Sequence, residues 1–309
     1  LVGVDPVTGA VLPGFPRISG GSVREVISDG AGGWYIAGDF TEVGGLPHSG
    51  LAHIRADLSV DPWSPQVDSI GELALSGSTL FIGGWFTSVS GEGRERLASF
   101  DLTTGQLTSW NPGLRYHNAD EGFAGSLAVS GSTVYVGGQF TECGGQPRNG
   151  AAAIDAATGL ATPWNPDVGD NGVVFDIAVS GNSVYLAGSY GSVRGIERGG
   201  IAQVDATTGL PSAWNPAPGG YVQSVAVHGS RLYVGGLFPV IAGQECWGIG
   251  EFDLETGLLT PWRPMVSGGV EHMSFVGSVM YMSGNFSAVG DAPRNGAAAI
   301  DVGAGLLLP

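Results

Sequence analysis

The chain has 309 residues, 55 of them glycine, and 12 basic residues against 28 acidic ones give a formal net charge of −16. All 12 basic residues are arginine, so the sequence excludes a Schiff-base lysine and a phosphate-loop lysine. The negative charge repels phosphate backbones and anionic membranes, so nucleic acid is not an expected partner. No apolar run approaches the roughly 18 residues of a membrane span, so no membrane insertion is expected.

A repeat of about 50 residues runs through the whole chain. Its clearest mark is a Gly-x-Phe or Gly-x-Tyr signature, with aromatic residues at Phe40, Phe86, Phe140, Tyr190, Phe238 and Phe286. An aspartate column runs through Asp5, Asp101, Asp155, Asp205, Asp253 and Asp301, with Arg55 in the gap, and a tryptophan column through Trp63, Trp110, Trp164, Trp214 and Trp262. The repeats span approximately 21–67, 68–114, 115–168, 169–218, 219–266 and 267–309.

Each repeat contains four β-rich runs separated by turn residues, which predicts a four-stranded antiparallel sheet. Both faces of such a sheet are apolar here, and radial stacking covers both faces while leaving only short edges. The sequence therefore predicts an all-β chain folded as a single β-propeller domain over residues 1–309, with six blades favoured and seven as the alternative. Residues 1–20 supply an extra pair of strands, an N-terminal closing hairpin that competes with residues 296–309 for the last blade.

The turns predict which end of the sheets carries function. Short glycine turns join the first strand to the second and the third strand to the fourth, as at Gly131 and Gly209. The longer connections, from the second strand to the third and from one sheet to the next, leave from the opposite end, which we call the loop face. Binding residues are expected on the loop face, because loops on a rigid scaffold commonly carry function.

The segment VYVGGQFTECGGQPRNGAAAIDAATGLATPWNP at 134–166 and its near copies resemble the bacterial delta-sixty repeat propellers, a family of unknown function. They are also similar to the kelch-like propeller of fungal cell-polarity surface proteins. The resemblance covers essentially the whole chain, and the start at 29–54 is similar to the usual start of the bacterial group. It implies a secreted or cell-surface location and transfers no catalytic motif.

Columns that repeat in every unit predict structural roles. An arginine stands seven residues before the aspartate column in four repeats, at Arg94, Arg148, Arg198 and Arg294, and this spacing predicts a recurring ion pair with the aspartate. The tryptophan and phenylalanine columns are expected to be core residues or wedges between sheets. Cys143 and Cys246 lie at different places in their repeats, so a disulfide between them is not expected.

The first strands align a polar column that is expected to line a central tunnel: Glu25, Glu72, Ser126, Asp176, Ser224 and His272. Three carboxylates at one depth can coordinate a hard cation such as Ca²⁺ or hold paired acids with separated pKa values. The alternative is a water-filled tunnel with a polar rim. A second, weaker cation candidate combines Asp167 and Asp170 with Gly169 and Asn171, but it lacks the glutamate of a calcium loop.

The longest connection between repeats, residues 113–125, offers Arg115, Tyr116, His117, Asn118, Asp120 and Glu121 as binding candidates on the loop face. Trp85 and Trp247 stand outside the repeated columns, where an exposed aromatic ring can stack on a sugar or anchor a protein partner. For both features a purely structural role is the alternative.

The sequence has no Gly-x-Ser-x-Gly elbow, zinc helix, dinucleotide fingerprint, Cys-x-x-Cys pair or sialidase aspartate box. The expected function is a non-enzymatic extracytoplasmic binding or scaffold module that presents its loops to a protein or glycan and belongs to a larger multidomain protein. The alternatives are a glycan-active hydrolase or lyase that uses the tunnel carboxylates, and a self-assembling surface or filament subunit.

Overall fold

The structure is a computed structural model that describes residues 10–11, 13–117, 122–169 and 171–309. These residues form strands and turns, without any helix. In the same residues there is no helix long and apolar enough to cross a membrane. The prediction of an all-β chain built from small antiparallel sheets is confirmed, and the arrangement is consistent with a β-propeller.

Each predicted repeat contains one main sheet of three or more strands, and we number these six main sheets from first to sixth along the described residues. The first sheet contains Val23–Ser28, Trp34–Gly38 and Leu51–Ile54, and the second contains Ile70–Ser76, Thr79–Gly84, Leu97–Asp101 and Gln106–Leu107. The third contains Phe123–Ser130, Thr133–Gln139 and Ala151–Asp155, and the fourth contains Val173–Ser180, Ser183–Ser189 and Ile201–Asp205. The fifth contains Tyr221–His228, Arg231–Leu237 and Ile249–Asp253, and the sixth contains Val266–Val276, Val279–Val289, Ala297–Asp301 and Leu306–Leu307.

Short strands of two residues form hairpins on the loop face between the second and third strands. They are Glu42–Val43 with Leu46–Pro47, Ser88–Val89 with Glu92–Gly93, Glu142–Cys143 with Gln146–Pro147, Ser192–Val193 with Ile196–Glu197, and Val240–Ile241 with Gln244–Glu245, while Ala292–Pro293 pairs with the end of Val279–Val289. Two further strands, Ile18–Ser19 and Leu114–Arg115, each pair with the hairpin of the sheet that follows them.

The second strands of the first five sheets are buried on both faces, whereas that of the sixth sheet alternates, with Met280 and Met282 buried and Ser283 and Asn285 exposed on the opposite face. In the second strand of the fifth sheet, Leu232, Tyr233 and Val234 are 1%, 2% and 0% exposed. Consecutive residues of a strand point to opposite faces, so burial of all three requires packing against both. The chain divides into two compact units, Leu1–Arg148 with Ala152–Thr162, and Asn149–Ala151 with Pro163–Pro309. Within each unit the first strands of consecutive sheets contact one another.

The predicted fourth strand is shorter than expected. A two-residue fourth strand is present in the second and sixth sheets, and in the other four a single bridge such as Phe252 to Leu259 takes its place. Two residues before Trp110, Trp214 and Trp262, a threonine or serine hydroxyl accepts a hydrogen bond from the tryptophan amide at 3.1 to 3.2 Å. This local bond turns the chain out of the sheet toward the next one.

Residues from the carboxyl end of the chain occupy the third and fourth places of the sixth sheet. Ala297–Asp301 pairs with Val279–Val289, and Leu306–Leu307 pairs with Ala297–Asp301. These are the places for which an N-terminal hairpin was expected to compete. Ile18–Ser19 instead pairs with Glu42–Val43 in the first repeat, and residues 1–9 lie outside the described part of the chain.

The predicted ion pair between the arginine and aspartate columns is wrong. Each arginine donates to the carbonyl oxygen of its preceding residue and to a carbonyl oxygen 14 residues further on, as Arg198 does to Glu197 at 2.7 Å and to Ser212 at 2.5 Å. The same two bonds occur at Arg94, Arg148 and Arg294. The arginine therefore bridges its own hairpin to the end of the same sheet, a role that needs donors and no acid.

The aspartate column instead builds the turn between the third and fourth strands. The Asp205 carboxylate accepts hydrogen bonds from the amides of Thr207 and Thr208 at 3.0 and 2.7 Å and from the Thr208 hydroxyl at 2.8 Å. The Thr208 hydroxyl and amide bonds hold the pKa of Asp205 below its usual value. Asp155 and Asp253 accept the equivalent set of bonds.

The tryptophan column confirms the prediction of wedges between sheets. The indole of Trp214 donates to the Gly257 carbonyl at 2.9 Å and meets the Phe252 ring edge-on, with centroids 5.3 Å apart. Trp63, Trp110 and Trp164 make the same kind of bond to the turn of the next sheet. The phenylalanine column is buried throughout, with Phe40 at 1% exposure.

Both cysteines are free and buried, as expected. Burial raises the pKa of the Cys143 thiol to about 12 and that of the Cys246 thiol to about 11. A thiol with such a pKa is unreactive at neutral pH, because the thiolate is the nucleophile. The two cysteines therefore act as small packing residues.

A double-mutant cycle on Arg198 and Asp205 tests the corrected roles. We expect Arg198→Met and Asp205→Ala each to lower the free energy of unfolding by about 1 to 2 kcal/mol, because each removes hydrogen bonds within the sheet. The coupling energy between them should stay within about 0.5 kcal/mol, as for independent sites. Urea unfolding of the four proteins measures the coupling energy, and a value well above about 0.5 kcal/mol would support the ion pair.

Candidate functional site

The polar column lies at one register position in all six sheets. Each member stands directly after a β-bulge in its first strand, and each faces a glycine, alanine or serine on the second strand. A bulge inserts one extra residue and redirects the side chain that follows it. The sequence therefore predicted the shared register of the column correctly, although the bulges themselves left no visible signal.

In the second unit the column joins neighbouring sheets. The Asp176 carboxylate accepts hydrogen bonds from the amide of Ile177 at 2.7 Å and from the amide of Val225, on the next sheet, at 2.8 Å. Ser224 in turn donates to the Val270 carbonyl of the sheet after that at 3.3 Å. Asp176 and Ser224 therefore bridge the first strands of successive sheets, whereas His272 is exposed.

In the first unit, Glu25 and Glu72 are partly buried and Ser126 is 3% exposed. Across the described residues, no group of three or more His, Cys, Asp and Glu side chains is placed to hold a metal ion. Asp167 accepts a hydrogen bond from the Asn149 amide group at 2.8 Å. Asp170 lies outside the described residues.

A titratable cluster lies in the first sheet, at the end opposite the loop face. His53 contacts the Asp29 carboxylate at 2.9 Å and the Asp61 carboxylate at 3.6 Å, and its ring stacks on Tyr35. Burial opposes ionisation of Asp29, but hydrogen bonds from His53 and from backbone amides leave its pKa below the usual value. The Asp29 carboxylate also accepts hydrogen bonds from the amides of Ala31 and Gly33. The cluster therefore stabilises the turn between the first and second strands of this sheet.

Trp85 packs on the loop face of the first unit. Its ring stacks on the Phe123 ring with centroids 5.3 Å apart. The Arg24 guanidinium lies 5.2 Å from the centroid of the Trp85 ring and forms an ion pair with Asp39. The Ser22 amide and hydroxyl, with Arg24, lower the pKa of Asp39 to about 2. Trp85 is 42% exposed, so one part of the ring is packed and another part meets solvent.

The structure describes the predicted binding loop at residues 113–117 and 122–125. Arg115 ends a short strand that pairs with Glu142–Cys143, the Tyr116 and His117 rings lie 4.3 Å apart, and the His117 amide donates to the Thr141 hydroxyl at 2.9 Å. Asn118, Asp120 and Glu121 lie outside the described residues.

Arg115 lines a pocket of about 510 Å³ in the first unit, which we call the polar pocket. Its guanidinium forms a two-pronged ion pair with Glu95, at 3.0 and 3.2 Å, and Thr87, Asn111 and Glu142 complete the polar lining. The pocket lies between the hairpin of the second sheet, the connection that follows that sheet, and the hairpin of the third sheet.

Trp247 lines a groove of about 530 Å³ in the second unit, which we call the apolar groove. Leu237, Pro239, Met265 and Val266 form much of the rest of its wall. Leu237, Trp247 and Met265 are 55%, 46% and 38% exposed, and Tyr221, which pairs with Leu237 across the sheet, is 59% exposed. The indole of Trp247 donates to the Glu245 carboxylate at 2.9 Å, which fixes the ring.

The polar pocket and the apolar groove occupy the same place in two repeats. Glu95 and Trp247 both stand directly before the residue that closes the hairpin, in a column we call the junction column: Ser49, Glu95, Asn149, Gly199, Trp247 and Asn295. Its members contact the connection to the next sheet. For example, the Ser49 hydroxyl donates to the Asp68 carboxylate at 3.1 Å, and the Asn149 side-chain amide donates to the Asp167 carboxylate. Sequence reasoning missed Glu95, Leu237 and Met265, although the variability of this column beside a repeated glycine was a usable signal.

Comparison with known proteins supports the fold only. No protein-family model matches the chain, and no curated protein is similar to it in sequence. The designed protein Ika8 superposes with a TM-score of 0.52 at 14% identity, covering 94% of this chain and 86% of that one. The extracellular domain of a one-component system from B. thetaiotaomicron gives a TM-score of 0.56 at 14% identity, covering 92% of this chain, which spans 32% of that protein. A chain of the mitotic checkpoint complex gives a TM-score of 0.51 at 11% identity, covering 76% of this chain and 61% of that one.

Replacing Asp176 tests whether the polar column is structural. We expect Asp176→Ala to lower the free energy of unfolding by about 2 kcal/mol, because two partly buried backbone amides lose a charged acceptor. The matched control His272→Ala, at the exposed position of the same column, should cost less than about 0.5 kcal/mol. Denaturant unfolding with and without Ca²⁺ makes the measurement. An Asp176→Ala protein as stable as wild type, or a Ca²⁺-dependent stabilisation that this variant loses, would favour the cation site instead.

Proposed function

We propose that this chain is a non-enzymatic, extracytoplasmic binding or scaffold module that presents its loop face to a partner. The observation that carries this proposal is the apolar groove, where Leu237, Trp247 and Met265 stand exposed on the loop face of the second unit. Clustered exposed side chains of this size on a folded protein mark an interaction site more often than an accident of packing.

The chemistry of the apolar groove favours a protein over a glycan as the partner. Tryptophan and methionine are enriched at the centres of protein interfaces, where an anchor residue fills a pocket. A glycan site requires several hydrogen-bonding groups around each ring, whereas the wall of this groove is built from Leu237, Pro239, Met265 and Val266. The fixed indole of Trp247 offers a rigid platform to an apolar side chain of the partner.

Charge narrows the partner further. The chain carries a net charge of −16, and Glu245 lies beside the groove with its carboxylate bound to Trp247. Complementary charge accelerates association and selects partners. The occupant we propose is therefore a protein segment with an apolar anchor residue flanked by lysine or arginine.

A catalytic role has less support. In the second unit the carboxylate of Asp176 already accepts two backbone amides, which is the function of a structural acceptor. The family resemblance and the extracellular domain among the similar folds are compatible with a secreted or surface location. These observations support a binding module in preference to a glycan-active hydrolase or lyase.

We further propose that the six sheets are the blades of one six-bladed propeller. The support is the single repeat, one sheet for each repeat, and the contacts between consecutive first strands inside each unit. Small-angle X-ray scattering tests it: a compact chain of this length should give a radius of gyration of about 19 Å. A clearly larger value would show that the two units do not form one body.

Selection of random peptides displayed on phage against the immobilised protein tests the apolar groove. We expect peptides with a leucine or aromatic residue next to lysine or arginine, and Trp247→Ser should weaken their binding at least about tenfold, which corresponds to about 1.4 kcal/mol. Trp85→Ser is the matched control, because Trp85 is 42% exposed on the other unit and should leave binding unchanged.

Three results would overturn this assignment. Equal loss of peptide binding in Trp85→Ser and Trp247→Ser would show that the effect is not local to the groove. Glycan-array binding that Trp247→Ser abolishes would make a glycan the occupant. Concentration-dependent particles in light scattering that disappear in Trp247→Ser would make a second copy of the chain the occupant, as a self-assembling subunit requires.

A further inference from the structure

The polar pocket of the first unit has a chemistry unlike that of the apolar groove. It forms because Leu114–Arg115 pairs with the hairpin strand Glu142–Cys143 and so carries the connection away from the second sheet. Thr87, Glu95, Asn111 and Arg115 then line a space of about 510 Å³. Pockets of roughly 300 to 1,000 Å³ hold small ligands, so there is room for a monosaccharide or disaccharide unit.

The polar groups in this pocket are mixed in kind and partly fixed in place. Glu95 and Arg115 hold each other through two bonds of 3.0 and 3.2 Å, so they form a planar, pre-arranged surface. Thr87 contributes a hydroxyl and Asn111 an amide, each with donor and acceptor capacity, and Glu142 contributes a carboxylate. Sugar hydroxyls also donate and accept at the same atom, which suits such a set.

The net charge in the pocket decides which sugars fit. The charges of Glu95 and Arg115 compensate each other, so Glu142 leaves the pocket negative. An anionic sugar would meet this carboxylate and the negative charge of the whole chain, and like charges at short range are unfavourable. An uncharged sugar avoids this repulsion, and an amino sugar gains an attraction.

A strained residue lies next to Glu95. Arg96 has φ of +68°, in the left-handed region, where the other five repeats have Gly50, Gly150, Gly200, Gly248 and Gly296. A non-glycine residue there is strained, and such strain collects at functional sites. The Arg96 side chain donates to the Gly122 carbonyl at 2.8 Å and to the Phe86 carbonyl at 3.2 Å, which fixes the backbone that carries Glu95.

We propose that the polar pocket is a saccharide-binding site for units without negative charge, with amino sugars bound best. Glu95 and Arg115 form its fixed planar surface, Thr87 and Asn111 bond to hydroxyls, and Glu142 attracts an amine. This site is independent of the apolar groove, since it uses other residues on the other unit.

Isothermal titration of the full chain with three trisaccharides tests the proposal: the glucosamine trimer, the N-acetylglucosamine trimer and the galacturonic acid trimer. We expect the glucosamine trimer to bind several-fold tighter than its N-acetylated form, and the galacturonic acid trimer not to bind. Asn111→Ala should weaken both bound trimers by about tenfold. Glu142→Gln should remove only the preference for the amine.

Glu42→Gln is the matched control, because Glu42 holds the same place in the first repeat and should leave titrations unchanged. Trp247→Ser should also leave them unchanged, which separates this site from the proposed protein-binding function. Absence of binding by all three trimers, strongest binding by the galacturonic acid trimer, or full binding by the Asn111→Ala, Glu142→Gln double variant would each overturn the proposal.

Discussion

Five of the six sheets bury side chains on both faces, and the rest of the structure depends on covering those faces. Tyr233 and its neighbours in the second strand of the fifth sheet show the requirement, because side chains on opposite faces are equally buried. A sheet of this kind is unstable alone, so sheets within one unit need devices that attach one to the next. The tryptophan column is one of them, since Trp214 fills the space between sheets and donates a hydrogen bond to the next turn.

The polar column is the second device that attaches neighbouring sheets. Bulges in the first strands direct Asp176 and Ser224 toward the backbone of the following sheet, where their hydrogen bonds satisfy groups that the bulge leaves exposed. Polar residues in a shared column thus join neighbouring sheets through hydrogen bonds. This explains how an acid that looks like a catalytic group in sequence can have a structural role.

We expect functional residues at positions whose side chains differ from one repeat to the next. The junction column is variable because its side chain meets the connection to the next sheet without being needed by either sheet. A serine or asparagine there bonds to an aspartate of the connection, whereas Glu95 and Trp247 leave open spaces of opposite character. One place in the repeat can therefore yield a polar pocket and an apolar groove, and the fold offers both without change to its core.

The sequence by itself determined the all-β class, the position of the repeats, the buried aromatic columns and the shared register of the polar column. These follow from local alternation and from periodicity, which a single chain displays openly. Only the tertiary structure decided that Arg198 binds carbonyl oxygens and not Asp205, that Asp176 serves its neighbouring sheet, and that Glu95 and Arg115 meet. The physical reason is that spacing fixes which residues recur. The partner of a side chain depends on bulges and on sheet stacking, which bring together residues distant in the chain.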